Sequence, residues 1–269
     1  MSNTTTYAVL GSTGNCGSAL VEILLKRPDA RINAYCRNRS KLLARLPSVQ
    51  KNERVRIFEG SITDTELLAS CIQGCRAVFL CVSTNDNIPG CRLAQDTAIA
   101  TVKALRSLKY GIASPPGAAS PPRLVLLSSG TIDEQFSRHV PLWLQPILLR
   151  SASYVYQDLI VTEEILRAEE NWLTTIYMKP GALSVDMQRG YALSFTDQDG
   201  PTSYFDLAAG MLEVADDTEG RYNQRNVSMV CTNGAASFPA GTPLCILTGL
   251  LRHYMPWLHP YLPLNTGPK

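Results

Sequence analysis

Three glycines at intervals of three residues, Gly11, Gly14 and Gly17, directly follow the first apolar run of the chain. A helical pattern begins behind them, so the trio lies where a strand turns into a helix. The first glycine of such a turn permits the tight bend, the second lets the backbone approach a pyrophosphate, and the third lets helix and strand pack closely. The amino end of the helix also attracts anions. Because the position makes the spacing specific, the trio predicts a dinucleotide-phosphate loop.

The end of the second apolar run carries basic residues where a site for an unphosphorylated dinucleotide has an acid. The chain reads Arg37, Arg39, Ser40 and Lys41 there. A planar guanidinium makes charge-assisted, bidentate contacts, which favour a ribose 2′-phosphate over a bare hydroxyl. The residues therefore favour NADPH over NAD as the cofactor. The alternative is that they are solvated charges on the turn into the second helix.

Short apolar runs alternate with helical patterns along most of the chain, which predicts an α/β protein with a doubly wound parallel sheet. The predicted strands are Tyr7 to Leu10, Ile32 to Tyr35, Arg54 to Phe58, Ala77 to Val82, Leu124 to Leu127, Leu173 to Met178 and Asn226 to Cys231. The predicted helices are Ser18 to Lys26, Ser40 to Leu46, Thr65 to Ile72, Gln95 to Leu108, Tyr154 to Ala168 and Tyr204 to Val214. Such sheets bind ligands at the edge where the strands end.

Composition and charge exclude several classes of protein. The 269 residues are 45% hydrophobic and 18% charged, a globular balance that excludes a disordered or collagen-like chain. Lys plus Arg number 25 against 23 Asp plus Glu, which is too small an excess for a nucleic-acid-binding surface. The chain has neither a leader pattern nor an apolar run of about 18 residues, which predicts a cytoplasmic protein that does not bind membranes.

The eight cysteines are scattered through apolar or glycine-rich segments of a chain that is large enough to fold without disulfides. We therefore expect reduced thiols in the core. Cys71 and Cys75 are separated by three residues, but the three histidines are far away in sequence, so no metal is expected.

The alternation of strands and helices weakens after Pro180. This change divides the chain into a cofactor-binding core, residues 1–182, and a C-terminal part, residues 183–269, which holds late elements of the same sheet and a small substrate cap. The segment Phe238 to Leu264 is rich in leucine and proline, and we expect it to cover a substrate cleft or a partner subunit. Four prolines between Gly111 and Pro122 predict an exposed loop before the fifth strand.

Several motifs resemble the atypical short-chain dehydrogenase/reductases, including the NmrA-like branch. They are the glycine loop, Arg37, the GSITD segment at residues 60–64 and the YMKPG segment at residues 177–181. Segments 34–42, 85–90, 156–159 and 203–211 further resemble fungal oxidoreductases of the averufin-oxidase and versicolorin-tailoring kind. The similarity spans roughly residues 6 to 231 and implies a Rossmann-like sheet with a small C-terminal substrate cap.

The resemblance also implies which residues bind the cofactor. In such families, residues after the third strand lie by the adenine, the turn after the fourth strand runs beside the cofactor, and a Pro-Gly pair after the sixth flanks the nicotinamide. Carried onto this sequence, the cofactor-binding residues are Gly11, Ser12, Thr13, Gly14, Asn15, Cys16, Gly17, Arg37, Lys41, Ser61, Ile62, Val82, Ser83, Thr84, Lys179, Pro180 and Gly181.

The catalytic pattern of the short-chain dehydrogenases is incomplete in this chain. The family commonly uses a Tyr-x-x-x-Lys pair on the helix after the fifth strand, in which the ammonium lowers the pKa of the phenol. Tyr154 is followed four residues later by Asp158, and Tyr156 by Ile160, so neither tyrosine has the lysine. A tyrosinate base is therefore not expected. A protonated phenol can still donate a hydrogen bond to a substrate oxygen.

Four residues are candidates for stabilising that oxygen: Ser129, Tyr154, Tyr156 and Lys179. Ser129 ends the fifth strand. The two tyrosines lie about 200° apart around a helix, so both cannot face the cleft equally. Lys179 ends the sixth strand, where it can place a positive charge beside a developing oxyanion. The alternative for Lys179 is a lysine on the rim whose ammonium reaches water.

The residues and the resemblance together predict an NADPH-dependent oxidoreductase. The resemblance implies that its substrate is a small aromatic, polyketide-type carbonyl, enone, quinone or epoxide of fungal secondary metabolism. Two alternatives stay open: a redox-neutral isomerase, dehydratase or cyclase on the same fold, and a non-catalytic, NmrA-like sensor of NADP. Residues 85–87, after the fourth strand, fit turn chemistry as well as ligand binding. An apolar face on the helix Gln95 to Leu108 leaves a homodimer open as well.

Overall fold

Strands and helices alternate along the chain as the sequence predicts. The computed structural model describes residues 4–110 and 120–264. Within these ranges the strands are β1 (Thr5–Leu10), β2 (Ala30–Cys36), β3 (Val55–Glu59), β4 (Ala77–Leu80), β5 (Arg123–Leu127), β6 (Thr175–Met178), β7 (Leu183–Ser184), β8 (Tyr191–Ser194), β9 (Thr202–Ser203) and β10 (Asn226–Cys231). The α-helices are α1 (Asn15–Leu25), α2 (Arg39–Arg45), α3 (Thr65–Ile72), α4 (Leu93–Tyr110), α5 (Glu134–Ser137), α6 (Gln145–Ser151), α7 (Ser153–Arg167), α8 (Tyr204–Asp216) and α9 (Thr242–Tyr254). Short 3-10 helices cover Pro47–Val49, Gly130–Ile132 and Pro256–Tyr261.

Eight strands form one sheet in the order β3-β2-β1-β4-β5-β6-β10-β8. All neighbouring pairs are parallel except β10 and β8, which are antiparallel. The predicted Rossmann-like, doubly wound sheet is thus confirmed. The chain runs outward from β1 to β3 and then crosses back to β4. The carboxyl ends of β1 and β4 therefore flank the switch point at which sheets of this type bind ligands.

Helices cover both faces of the sheet, which explains why its central strands are continuous apolar runs. Every residue of β4 and of β6 is buried. Helices α1, α2 and α8 pack with one face of the sheet into one buried cluster. Helices α3, α4 and α7 pack against the other face.

The structure differs from the sequence prediction in a few elements. Helix α1 begins at Asn15 rather than Ser18, because the glycine loop leads into it without an intervening turn. Strand β4 ends at Leu80, which leaves Val82 in the loop at the sheet edge. The antiparallel strand β8 and the small sheet of β7 and β9 were not predicted, since strands of two to four residues are too short to show a period. Residues 111–119 of the predicted proline-rich loop lie outside the described residues.

The C-terminal stretch forms α9 and the 3-10 helix Pro256–Tyr261. Helix α9 packs against α6 and against the loop between β4 and α4. Leu244, Leu247 and Tyr254 of α9 and Trp257 of the 3-10 helix are more than half exposed. None of the helices in the described ranges is long and apolar enough to cross a membrane. All eight cysteines have free thiols. The buried ones are Cys16, Cys36, Cys71, Cys75 and Cys81.

Candidate active site

Two glycines of the glycine loop have no room for a side chain. Gly11 has a φ of +87°, and a Cβ there would lie 2.7 Å from the carbonyl oxygen of Cys81. A Cβ on Gly17 would lie 2.3 Å from the carbonyl oxygen of Gly11. Thr13 is half-buried between them. A Cβ on Gly14, by contrast, would meet only the Gly11 oxygen, at 3.4 Å, so the backbone there is open to a ligand. The loop thus has the geometry that a bound pyrophosphate requires.

The amino end of α1 presents backbone N–H groups to this loop. Gly14 is the N-cap, and within the described residues no side chain caps the helix and no acid lies in its first turn. The buried Ser12 hydroxyl donates to the carbonyl of Tyr35 at 3.0 Å, so it holds the loop against β2. The Cys16 thiol lies 3.5 Å from the sulfur of Met211 in the core. The backbone of the first turn, rather than these side chains, is therefore what can bind phosphate.

Two positively charged side chains lie near the carboxyl end of β2. Arg37 and Lys41 are both exposed, and in the part of the chain that the structure describes no ion pair involves either of them. Glu59, at the end of the neighbouring β3, accepts the backbone N–H of Arg39 at 2.9 Å. The positive charge of Arg37 and Lys41 is therefore available to an anionic ligand.

Arg45 is a third cation beside the loop, and sequence reasoning missed it. Its Nε donates to Ser18 Oγ at 2.8 Å, and its guanidinium also contacts Oδ1 of Asn15. Both partners belong to the first turn of α1. The only signal in the sequence was a basic residue in the last turn of the predicted second helix, which does not distinguish a cofactor residue from a C-terminal helix cation.

The residues expected near the adenine and along the cofactor lie at the same edge. Ser61 follows β3, and its carbonyl accepts the hydroxyl of Tyr35 at 2.7 Å. Ile62 is half-buried and packs against the core on the α3 side. In the loop after β4, residues 82–84 run beside the glycine loop, and Val82 Cγ2 would be 3.2 Å from a Cβ on its first glycine. These positions agree with a ligand that extends along the edge from β2 to β4.

Tyr156 of α7 lies beside two hydroxyl groups at the end of β5. The hydroxyls of Ser129 and Thr131 are within hydrogen-bonding reach of its phenol. Ser129 Oγ also accepts the backbone N–H of Thr131 at 3.2 Å, which fixes the serine side chain. Burial raises the pKa of Tyr156 above its ordinary value, and the hydrogen bonds of the two hydroxyls lower the pKa in part. The phenol is therefore protonated at neutral pH and is a hydrogen-bond donor rather than a base.

Tyr154 occupies a different side of the same helix. Its side chain is half-buried, and its backbone N–H donates to Oδ1 of Asn87 at 2.8 Å. Because residues two apart on a helix are about 200° apart, its phenol cannot share the position of the Tyr156 phenol. The structure thus brings Tyr156, of the two tyrosines, to Ser129.

Lys179 is only 3% exposed and does not reach the water of the rim. Its Nζ lies 2.9 Å from Glu163 Oε1 and 3.4 Å from Asp133 Oδ2. The hydroxyl of Ser128 donates to the same Glu163 oxygen at 2.5 Å. Two carboxylates therefore neutralise the ammonium that the sequence placed near the nicotinamide, and the structure does not offer it as a free charge for an oxyanion.

Asn226 and the partly exposed Arg167 extend this group towards the surface. Arg167 Nη2 lies 3.4 Å from Glu163 Oε2 and donates to Asn226 Oδ1 at 2.6 Å. Asn226 Nδ2 in turn donates to Asp133 Oδ2 at 2.7 Å. We call Lys179, Arg167, Glu163 and Asp133 the Lys179 network; it holds two positive and two negative charges. It joins α7, β6 and the segment after β5 beneath the candidate site.

The predicted Pro-Gly pair after β6 packs directly against the residue that follows Ser129. The N–H of Gly130 donates to the carbonyl of Pro180 at 2.8 Å. The carboxamide of Gln198 fills the space between the glycines: a Cβ on Gly130 would lie 1.6 Å from its Oε1, and one on Gly181 would lie 2.9 Å from its Nε2. The turn after β8 therefore reaches the ends of β5 and β6. Sequence reasoning missed Gln198, which lies in a segment without a clear period.

Tyr204 and Cys245 belong to α8 and α9, the later elements of the chain. Burial raises the pKa of Tyr204, and the side-chain amide of Asn15 lies within hydrogen-bonding reach of its hydroxyl and lowers that pKa in part. Cys245 lies near both Tyr156 and Tyr204. Burial also raises the pKa of the Cys245 thiol, which keeps it neutral. Helices α8 and α9 thus bring neutral groups towards Tyr156 and the first turn of α1.

Comparisons with known proteins identify the family and the fold. The family model described as NAD(P)H-binding matches residues 11–218. The oxidoreductase nsrR of Aspergillus novofumigatus is 65% identical over 264 residues, 98% of each chain. The oxidoreductase claK of Passalora fulva is 59% identical over 270 residues, 100% of this chain and 99% of its own. A short-chain dehydrogenase/reductase of Veillonella parvula, solved in complex with NADP, shares the fold with a TM-score of 0.64 at 20% identity, over 87% of this chain and 99% of its own.

The family match covers the glycine loop, both candidate tyrosines and Lys179. The two fungal relatives match almost end to end, including the part after β6 that carries α8 and α9. The chain therefore belongs to the NAD(P)H-binding family and is an oxidoreductase.

Proposed function

We propose that the protein is an NADPH-dependent reductase of a small aromatic, polyketide-type carbonyl, enone, quinone or epoxide in secondary metabolism. The observation that carries the proposal is the protonated Tyr156 phenol beside Ser129. It lies at the sheet edge that also carries the glycine loop, where a dinucleotide is expected.

The chain's own residues supply the acid side of the reaction. A bound NADPH supplies the hydride. As negative charge develops on the substrate oxygen, the Tyr156 O–H donates a hydrogen bond to it and then the proton. Ser129 holds the phenol in position and offers a second hydroxyl to the same oxygen. Lys179 takes no direct part, because its ammonium is held by Glu163 and Asp133.

Neutral groups around the phenol support an aromatic, weakly polar substrate. The thiol of Cys245, which burial keeps neutral, interacts electrostatically with the phenols of both Tyr156 and Tyr204. Aromatic rings pack favourably against flat apolar molecules, and no group among these three has to be desolvated as an ion.

Three cations support NADPH over NADH. Arg37 and Lys41 are exposed at the end of β2, and Arg45 lies against the first turn of α1. In the short-chain dehydrogenase/reductases the ribose of the adenosine half lies at this end of the second strand, where an NAD-specific site carries an acid. A 2′-phosphate there would gain charge-assisted hydrogen bonds that a hydroxyl lacks.

Replacing Arg37 by alanine is expected to weaken NADPH binding by roughly ten- to a hundredfold, since a hydrogen bond to a charged group contributes about 1.5–3 kcal/mol. NADH affinity should change by less than about twofold, because NADH has no 2′-phosphate. Fluorescence titration with both nucleotides measures the two affinities. Arg31→Ala removes an exposed arginine at the opposite end of the same strand and serves as the control. Equal losses for NADPH and NADH would contradict a 2′-phosphate contact.

The function itself is tested with purified protein, NADPH and a panel of anthraquinones, xanthones and their hydroxylated or epoxidised relatives. Loss of absorbance at 340 nm that requires both protein and substrate supports the proposal. Conversion of a substrate without loss of NADPH would contradict the proposal and indicate a redox-neutral reaction instead. Tight binding of NADP⁺ and NADPH with no conversion of any compound would favour a sensor.

A further inference from the structure

Asn87, in the loop between β4 and α4, uses both polar atoms of its side chain. It is 1% exposed. Its Oδ1 accepts the backbone N–H of Tyr154 at 2.8 Å. Its Nδ2 lies 3.0 Å from the carbonyl oxygen of Gly249, and 3.3 Å from both the carbonyl oxygen of Arg150 and the hydroxyl of Ser153. One amide therefore connects the loop after β4 with the start of α7 and with α9.

Helix α7 depends on this amide because it lacks a cap of its own. Its N-cap residue is Ala152, whose methyl group cannot accept a hydrogen bond. The hydroxyl of Ser153, the first helical residue, pairs with Nδ1 of His253 at 2.8 Å. Asn87 Oδ1 thus takes the place of an N-cap side chain. The turn that it caps carries Tyr156, whose N–H closes the first helical hydrogen bond to Ala152 at 2.8 Å.

The same loop also holds α9. A Cβ on Gly249 would lie 1.9 Å from the carbonyl oxygen of Ser151, so α9 approaches the junction of α6 and α7 as closely as only glycine permits. Asn87 Nδ2 donates to the Gly249 carbonyl at this contact. The neighbouring Asp86 pairs with the fully buried Arg252 of α9 at 3.4 Å. Helix α9 also carries Cys245, whose thiol lies 3.6 Å from the carbonyl oxygen of Asn85 in the same loop.

We propose that Asn87 is a positioning residue for the reduction. It fixes the Tyr156 phenol and α9 relative to residues 82–84, the part of the same loop that lies along the expected cofactor. The inference rests on the proposed function. Its physical basis is that a proton donor displaced by about 1 Å can cost about a hundredfold in rate, although the donor itself is unchanged.

Two substitutions test the role. Asn87→Ala removes the acceptor for Tyr154 and all the donated bonds, and we expect the single-turnover rate of NADPH oxidation to fall about a hundredfold. Asn87→Asp keeps the acceptor and loses the donors, so the start of α7 stays capped while the bond to Gly249 is lost. We expect a smaller fall, on the order of tenfold. NADPH affinity should stay within about threefold of wild type for both, because the contacts to a pyrophosphate come from the glycine loop.

The controls separate positioning from general stability. Asn85 is exposed in the same loop, so Asn85→Ala and Asn85→Asp are matched substitutions that should leave the rate unchanged. Rates are measured well below the melting temperature, with saturating NADPH and substrate and with near-UV circular dichroism to verify folding. A merely structural role would lower the melting temperature and leave the rate of the folded protein unchanged.

The outcomes are distinct. A graded loss in the order wild type, Asn87→Asp, Asn87→Ala, with NADPH affinity kept, supports the positioning role. A wild type that consumes NADPH and folded Asn87 variants that consume it equally fast would overturn the positioning role alone. A wild type that consumes no NADPH with any substrate would overturn the proposed function, and the positioning role with it.

Discussion

Replacing Tyr156 by phenylalanine is expected to slow substrate-dependent NADPH oxidation by about 10²–10⁴-fold, the usual contribution of a positioned general acid. The substitution removes only the hydroxyl that lies beside Ser129 and Thr131, so the ring and its packing remain. The measurement is kcat/KM from the absorbance at 340 nm. NADPH affinity should stay unchanged, because no step of cofactor binding uses the phenol.

The matched control is Tyr154→Phe, the same change two residues earlier on the same helix. Tyr154 contributes its backbone N–H, and not its phenol, to the contact with Asn87, so this variant should keep nearly full activity. Equal losses in the two variants would mean that helix α7, rather than one phenol, was disturbed. Full activity of Tyr156→Phe would remove Tyr156 from the mechanism and leave Ser129 as the donor.

The pH dependence follows from the direction of the Tyr156 shift. Burial raises the pKa of this phenol above the ordinary value near 10. An acid with a raised pKa keeps its proton as the pH rises through neutrality, so kcat/KM should be level from about pH 6 to pH 9 and fall only above that range. A rate that instead rises between these values would indicate a base in place of the acid.

Replacing Lys179 by methionine is expected to lower the free energy of unfolding by about 3–5 kcal/mol, because it leaves two buried carboxylates with only the partly exposed Arg167 as a cation. Glu163 Oε1 and Asp133 Oδ2 lie 2.9 and 3.4 Å from the ammonium, and both carboxylates are at most 10% exposed. Urea denaturation followed by circular dichroism measures the change. The loss should be larger than that from any single surface ion pair of this protein.

A double variant distinguishes a structural role of the Lys179 network from a catalytic role of Lys179. Lys179→Met combined with Glu163→Gln removes one positive and one negative charge together, and it should recover part of the lost stability. Lys103→Met, on the exposed side of α4, is the control for the loss of a lysine and should be neutral. A Lys179→Met protein with wild-type stability and no turnover would contradict this account and indicate that Lys179 takes part in the reaction.

The fold followed from the sequence because the central strands of the sheet are buried on both faces. β4 and β6 are wholly apolar runs, and each is joined to helices with a clear 3.6-residue period, so period and order were both visible. β8 was not visible, because a four-residue edge strand contains two residues of each face at most. The glycine loop was predictable for a different reason. The carbonyl oxygens of Cys81 and Gly11 leave no room for a side chain at Gly11 and Gly17, so only glycine fits these two positions.

The candidate site was predictable only in part. The candidates Ser129 and Tyr156 were visible as residue types at the ends of elements, but their proximity is a property of how α7 packs on β5. Whether the Lys179 ammonium is free or paired depends on Glu163. Glu163 lies seven residues, or about two helical turns, after Tyr156 on the same face of α7. The sequence was compatible with two roles for Asn87, ligand binding and ordinary turn chemistry. Only the burial of its amide against two helices indicates a positioning role.

The close contact of α9 with the rest of the chain has a consequence for how this family diverges. The glycine loop, Ser129, Tyr156 and Lys179 lie before residue 182, whereas α9 is one short stretch near the end of the chain. Its attachment includes the Asn87 amide, the Ser153–His253 hydrogen bond, the Arg252 guanidinium and the close contact at Gly249. Changes elsewhere on α9 can therefore accumulate without disturbing the dinucleotide half.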